Sequence, residues 1–227
     1  MDIFFLDLSK VNEIYLESHL VTEEKKEYIS KINPRQRKIQ VFYSDVFIKY
    51  LMLKKYNLGI SEIKIFQDPF GKPYLYQGQY QFNISHSGKY LICGISKNPV
   101  GIDIEQMKSE NVIRSKDIFW ESEYQDIFLT IEKEREIRFF KYWTLKESYL
   151  KWLGTGLSES LKSIEFLNID SRFIKYRLDK KFNESTPSFY SIIFDSDYVL
   201  SICGDFMNEK KIRIYEVDKF ELNSFFQ

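Results

Sequence analysis

Cysteine is scarce in this chain: Cys93 and Cys203 are the only two among 227 residues. Both lie inside apolar runs and lack metal-ligand spacing, so they read as reduced, buried small hydrophobes of a cytosolic protein. An excess of charge of either sign is also missing. Lysine and arginine total 33, aspartate and glutamate 33, and the signs are evenly mixed. That leaves no electrostatic argument for a nucleic-acid or membrane-surface binder. The first stretch, MDIFFLDLSK, has neither a basic leader nor a long apolar run. No signal peptide or membrane span is expected, and the expected location is the cytoplasm. A glycine-rich Walker loop, a dinucleotide fingerprint and a Ser-His-Asp order are all wanting. Histidine is down to His19 and His86.

What the chain has in quantity is apolar and aromatic: 44% hydrophobic residues, with 20 Phe and 16 Tyr. This supplies a sizeable core, argues against global disorder and favours strands packed through rings. A chain of 227 residues can hold one large domain or two small lobes.

In chain order, residues 3–8 read as a strand and 11–20 as a connection. Thr22 before Glu23-Glu24 starts a helix, which Asn33-Pro34 interrupts. Residues 35–56 form a long amphipathic helix on Ile39, Phe42, Val46, Ile48, Leu51, Leu53 and Tyr56. Arg35, Arg37 and Lys38 make its first turns basic, either a solvated face or an anion contact. Residues 61–66 alternate like a strand, and Asp68-Pro69-Phe70-Gly71-Lys72-Pro73 is a stiff turn. Residues 108–136 are mostly polar, an exposed flap or docking element carrying Val112, Ile113, Ile118, Phe119 and Trp120, of which Phe119 and Trp120 read equally as docking anchors or as core. A second strong helix over 135–153 stops at Gly154-Thr155-Gly156. Four short strands are expected over 164–215. A weak internal echo relates the two helices and the strands after them, as in Tyr90-Leu91-Ile92-Cys93-Gly94 and the later stretch from Tyr198 to Gly204. It predicts an α+β fold of two similar lobes, 1–100 and 101–227, with the active site in the cleft between them.

The central run, QFNISHSGKYLICGISKNPVGIDIE, spans residues 81–105. Side chains two apart on a strand share a face, so Asp103 and Glu105 point together while Ile102 and Ile104 enter the core. Their like charges leave two readings, a solvated strand face or a seat for a hard divalent cation. Glu147 and Lys151 lie on one face of the second helix, as a surface ion pair or as a third carboxylate with a phosphate-neutralising ammonium. His86 sits between Ser85 and Ser87 and before Gly88, which suits a satisfied near-surface histidine or a phosphate contact.

FNISHSG, VGIDIE and FFKYWTLKESYLKWLGTGLS, with the FGKPY loop at 70–74, resemble the signature motifs of Sfp-type 4′-phosphopantetheinyl transferases. The resemblance covers about residues 61–161. It implies a pseudo-twofold α+β fold and transfer of phosphopantetheine from coenzyme A to a serine of an acyl- or peptidyl-carrier protein, releasing adenosine 3′,5′-bisphosphate. By motif match, Asp103, Glu105 and Glu147 would hold Mg²⁺, and Glu147, or a metal-bound water, would take the proton from the serine hydroxyl. His86 and Lys151 would contact phosphates with Ser85 nearby, and Lys72 and Pro73 would border the adenine. The family's usual basic residues near the amino terminus are not matched: the segment after Pro34 is shortened, with Gln36, Ile39 and Gln40 in their place. Arg35, Arg37 and Lys38 stand in as candidates for the 3′-phosphate. A monomer is expected. The competing readings are a Mg²⁺-dependent phosphohydrolase and a non-catalytic carrier-binding module.

Overall fold

Two strands are buried along their whole length, β5 (Tyr90–Ser96) and β10 (Tyr198–Gly204). The pleat decides which core each residue serves. In the computed structural model Leu91, Cys93 and Ile95 of β5 pack under helix α2 (Arg35–Lys54), against Phe42, Val46 and Phe47. Val199 and Cys203 of β10 pack under helix α4 (Glu132–Leu153), against Phe140, Leu145 and Tyr149. The other faces meet each other: Tyr90 and Ile92 join Tyr198, Leu200 and Ile202 in a third cluster. The molecule is therefore layered helix, sheet, sheet, helix. The structure describes all residues except 12, 13, 16, 17, 19, 77, 109–115, 172, 173, 180–185, 206–211, 224, 226 and 227, and the side chain of Leu157. His19, Val112 and Ile113 lie outside the described residues.

The two sheets repeat one plan. β5 pairs antiparallel with β1 (Asp2–Asp7) and with β4 (Gln81–Ser87). Likewise β10 pairs antiparallel with β6 (Val100–Gln106) and with β9 (Ser188–Phe194). Each helix is followed by a small hairpin: β2 (Ile65–Gln67) with β3 (Pro73–Leu75), and β7 (Ile164–Asn168) with β8 (Lys175–Leu178). The strand order β1-β5-β4 in the first lobe is matched by β6-β10-β9 in the second. The tail departs from this symmetry: β11 (Arg213–Glu216) pairs parallel with β1, and Val217 and Leu222 enter the first core.

Local chemistry sets the element ends. Thr22 Oγ1 accepts the Lys25 N–H at 3.3 Å to cap α1 (Glu23–Ser30). Gly154, left-handed at φ 79°, closes α4. The expected strand over 61–66 is corrected: Ile60–Glu62 is a tight 3-10 turn, and pairing starts only at Ile65. Residues 164–216 hold a fifth strand beyond the four expected, β11. The described part of the polar stretch after β6, from residue 116 on, is less exposed than expected. It forms α3 (Glu121–Leu129), and Phe119 is 2% exposed with its ring edge-on to Phe139. The Trp120 indole N–H donates to the Lys162 carbonyl at 3.0 Å, pinning that residue too. Among the described residues, no helix is long and apolar enough to cross a membrane.

Candidate active site

Helix α4 rests directly on β6, and Gly101 is what allows the approach. A Cβ there would lie 1.9 Å from the Ser148 carbonyl oxygen and 2.5 Å from the Trp152 nitrogen. Only a residue without a side chain fits beneath a helix backbone so placed. Beyond Gly101 the same strand face carries Asp103 and Glu105, while Ile102 and Ile104 enter the inter-lobe core as expected. Asp103 thus lies beneath the helix turn that bears Glu147 and Lys151. Its Oδ1 is 2.5 Å from Lys151 Nζ.

The first lobe reaches the same strand through a ladder of polar side chains. Asn83 Oδ1 accepts the Ile102 N–H at 2.9 Å, Ser85 Oγ accepts the Ile104 N–H at 3.2 Å, and Ser87 Oγ accepts the Gln106 N–H at 3.0 Å. The pairs advance together, so β4 and β6 run the same way, held by side chains where a sheet would use backbone carbonyls. Two of these hydroxyls also steady the acids. Ser85 Oγ donates to Asp103 Oδ1 at 3.0 Å, and Ser87 Oγ donates to Glu105 Oε2 at 2.8 Å. Lys151 Nζ closes the group by donating to Ser85 Oγ at 3.0 Å.

Burial pushes all three acids upward, and neighbouring carboxylates add to it for Glu105 and Glu147. Asp103 is raised chiefly by desolvation, against the pull of Lys151 and Ser85. Glu105 is raised by burial and then by the charge of Asp103. Glu147 is raised by burial, then by Asp103 and, less, by Glu105, to about 7. His86 is lowered, first by burial and then by the charges of Arg37 and Lys151. Arg37 Nη1 lies 3.3 Å from His86 Nε2. A neutral imidazole flanked by two cations is an environment for anionic oxygens.

The other candidates are less gathered. Lys38 sends Nζ to the Ser30 carbonyl at 3.4 Å, at the end of α1, and Arg35 is exposed. Pro73 opens β3, half-buried. Lys72 bonds the end of α4. Sequence reasoning missed Asn83 and Ser87. The alternation of polar Asn83, Ser85 and Ser87 with apolar Phe82 and Ile84 was the signal that one strand face of β4 meets a polar partner. It also missed the pair Lys146–Glu123, fully buried at 2.9 Å. Lys146 further donates to the Leu161 and Ile164 carbonyls, and Glu123 accepts the Trp120 and Phe166 N–H groups, so every charge is satisfied. This pair fastens α3 and β7 to the helix turn before Glu147.

Among the described residues, no three His, Cys, Asp or Glu side chains converge closely enough to ligate a metal ion as they stand. The cation beside Asp103 is the Lys151 ammonium. The donor set nonetheless fits a hard divalent ion. Among the described residues, Asp103 Oδ2 is buried and has no hydrogen-bond partner, and the acids around it raise the proton affinity of Glu105 and Glu147.

Two family models match adjoining stretches of the chain. The "4'-phosphopantetheinyl transferase, N-terminal" model covers residues 10–97, and the "4'-phosphopantetheinyl transferase superfamily" model covers 99–203. The 4′-phosphopantetheinyl transferase Sfp of Bacillus subtilis (strain 168) is 29% identical over 91% of this chain and 98% of its own. The 4′-phosphopantetheinyl transferase gsp of Aneurinibacillus migulanus is 26% identical over 93% of this chain and 87% of its own. Among solved structures, the holo-[acyl-carrier-protein] synthase of Thermotoga maritima aligns with 23% identity and a TM-score of 0.40, over 47% of this chain and 61% of that one. Motifs, paired lobes and matching models agree, and the chain belongs to the 4′-phosphopantetheinyl transferase superfamily, as an Sfp-type member.

Proposed function

We infer that this protein transfers the 4′-phosphopantetheine arm of coenzyme A to a serine hydroxyl of an acyl- or peptidyl-carrier protein, releasing adenosine 3′,5′-bisphosphate. The observation that carries this reading is the junction of the two lobes. Three acids with raised proton affinity meet Lys151, and His86 with Arg37 stands beside them. Acids alone would repel a pyrophosphate, and cations alone would not activate a hydroxyl. The juxtaposition suits phosphoryl transfer by positioning and charge neutralisation.

On this reading Arg37, His86 and Lys151 donate to phosphate oxygens and orient the coenzyme. The serine oxygen attacks the phosphorus that bears the pantetheine arm. As the new P–O bond forms, the bond to the nucleotide phosphate oxygen breaks, and the bisphosphate departs with that electron pair. The serine proton goes to Glu147, a carboxylate whose proton affinity burial and the neighbouring acids raise. Asp103, Glu105 and Glu147 would hold Mg²⁺, which when bound supplies positive charge for the pyrophosphate oxygens. The lobes divide on this account at residues 1–100 and 101–227, with β11 returning to the first.

Intact-mass measurement of an apo-carrier incubated with the protein, coenzyme A and Mg²⁺ tests the reading. The carrier should gain one phosphopantetheine, and a carrier whose acceptor serine is replaced by alanine should gain none. An unmodified wild-type carrier from several biosynthetic systems would refute it.

A further inference from the structure

The matched motifs suggest that Lys72 serves the adenine, yet its ammonium is committed elsewhere. It is part-buried and donates to the Lys151 carbonyl, with the Trp152 carbonyl at 3.4 Å. Both belong to the last turn of α4, where carbonyls lack intrahelical donors. The Gly154 N–H takes the Leu150 carbonyl at 2.9 Å, so Lys72 serves the next two in order. A cation at a helix carboxyl end is also favoured by the aligned peptide dipoles.

The hairpin holds Lys72 for this purpose. Asp68 Oδ1 accepts the N–H groups of Phe70 and Lys72, both at 2.9 Å, and the Asp68 N–H donates to the Lys72 carbonyl at 3.0 Å. On the helix side, a Cβ on Gly154 would lie 3.6 Å from Lys72 Cδ and from Asp68 Oδ2. Gly156 likewise sits against Phe70. The residue whose carbonyl Lys72 holds is the one whose own ammonium meets Asp103 and Ser85.

We propose that Lys72 is a positioning residue: it pins the last turn of α4 and so fixes where Lys151, and Glu147 one turn earlier, stand against Asp103. The consequence for turnover rests on the transferase reading above; the consequence for the helix end does not. In this role Lys72 acts on the rate, while an adenine contact would act on coenzyme affinity.

The test compares Lys72→Met, which keeps the aliphatic stem, with Lys72→Arg. Coenzyme A affinity is read by calorimetry, kcat and KM with an apo-carrier, and amide exchange of the last turn of α4 by mass spectrometry. Lys72→Met should lower kcat about tenfold or more, because small misplacements of catalytic groups are costly. Kd and KM for coenzyme A should stay within about twofold. Exchange should quicken in the last turn of α4 alone, and Lys72→Arg should restore both exchange and most of kcat. A tenfold rise in Kd with kcat preserved would make Lys72 a coenzyme contact and overturn the proposal. So would unchanged exchange at the helix end. If the wild type fails to modify any carrier, the transferase reading falls, and the exchange measurement still decides whether Lys72 holds the helix. If Lys72→Met does not fold, Lys72→Gln takes its place in the same comparison.

Discussion

Lys151 Nζ lies 2.5 Å from one oxygen of Asp103, while the other oxygen of that carboxylate is buried with no hydrogen-bond partner among the described residues. The pair is thus half-neutralised, and burial drives the Asp103 value upward despite the ammonium. A neutral isostere relieves that cost. Asp103→Asn should therefore melt at or above the wild-type temperature, as Lys151 retains some contact with water. Transfer should fall about a hundredfold or more, the usual loss when a charged group facing a transition state is removed. Turnover at the wild-type rate would remove Asp103 from the chemistry.

Glu147 makes a pH-dependent contribution to stability whose sign follows from its raised value. The unfolded carboxyl releases its proton near 4.5, the folded one near 7. Between those values the folded state holds more protons, so stability from this group is present at low pH and is lost as pH rises through the folded value. In metal-free buffer the wild type should therefore lose melting temperature, relative to Glu147→Gln, as pH rises through this window. A constant difference between the two proteins would place the Glu147 carboxyl in water.

Arg37 is the member of the basic cluster that reaches His86, while Lys38 turns to the end of α1. If Arg37 serves the coenzyme's 3′-phosphate, Arg37→Gln should weaken coenzyme A more than its 3′-dephospho form. A charge-assisted contact of about 1.5–3 kcal/mol makes that gap about tenfold or greater. Lys38→Gln should leave the ratio unchanged. Equal losses for both ligands with Arg37→Gln would return Arg37 to a solvated face.

The helix seat and its buried ion pair predict stability changes with no ligand present. Gly101→Ala drives a methyl into the Ser148 carbonyl and should destabilise by about 3 kcal/mol or more, at the upper end for overpacking. Glu123→Gln strands a fully buried ammonium and should cost about 3–5 kcal/mol. The double replacement Glu123→Leu with Lys146→Met should recover much of that loss, because two uncharged side chains remove both desolvation costs. Denaturant unfolding measures all three.

The sequence made the local features legible and the cross-chain ones less so. Thr22 and Gly154 marked helix ends because caps act within a few residues. The pleat told Asp103 from Ile104 because it needs only the next residue. Residues 61–66 misled because apolar alternation cannot separate a strand from a tight turn that exposes Ile60 at 56%. Phe119 and Trp120 read equally well as docking anchors or as core, and the choice depended on Phe139 and Lys162, which are distant in sequence. The return of β11 to β1 is a pairing across nearly the whole chain, and no local pattern encodes it. Ser85 and Lys72 stood out as polar residues in a polar motif. That they bond to a neighbouring strand or helix end depends on the packing of Gly101 and Gly154, visible only once the lobes are assembled.

On the proposed mechanism, the acids and cations at the lobe junction move a phosphopantetheine from coenzyme A to a carrier serine. The most direct measurement follows adenosine 3′,5′-bisphosphate and modified carrier in the same reaction. The two should appear in equal amounts, and neither should appear without an acceptor serine. Nucleotide released while the carrier stays unmodified would contradict it, and would mean that water, not a serine, takes the phosphoryl group.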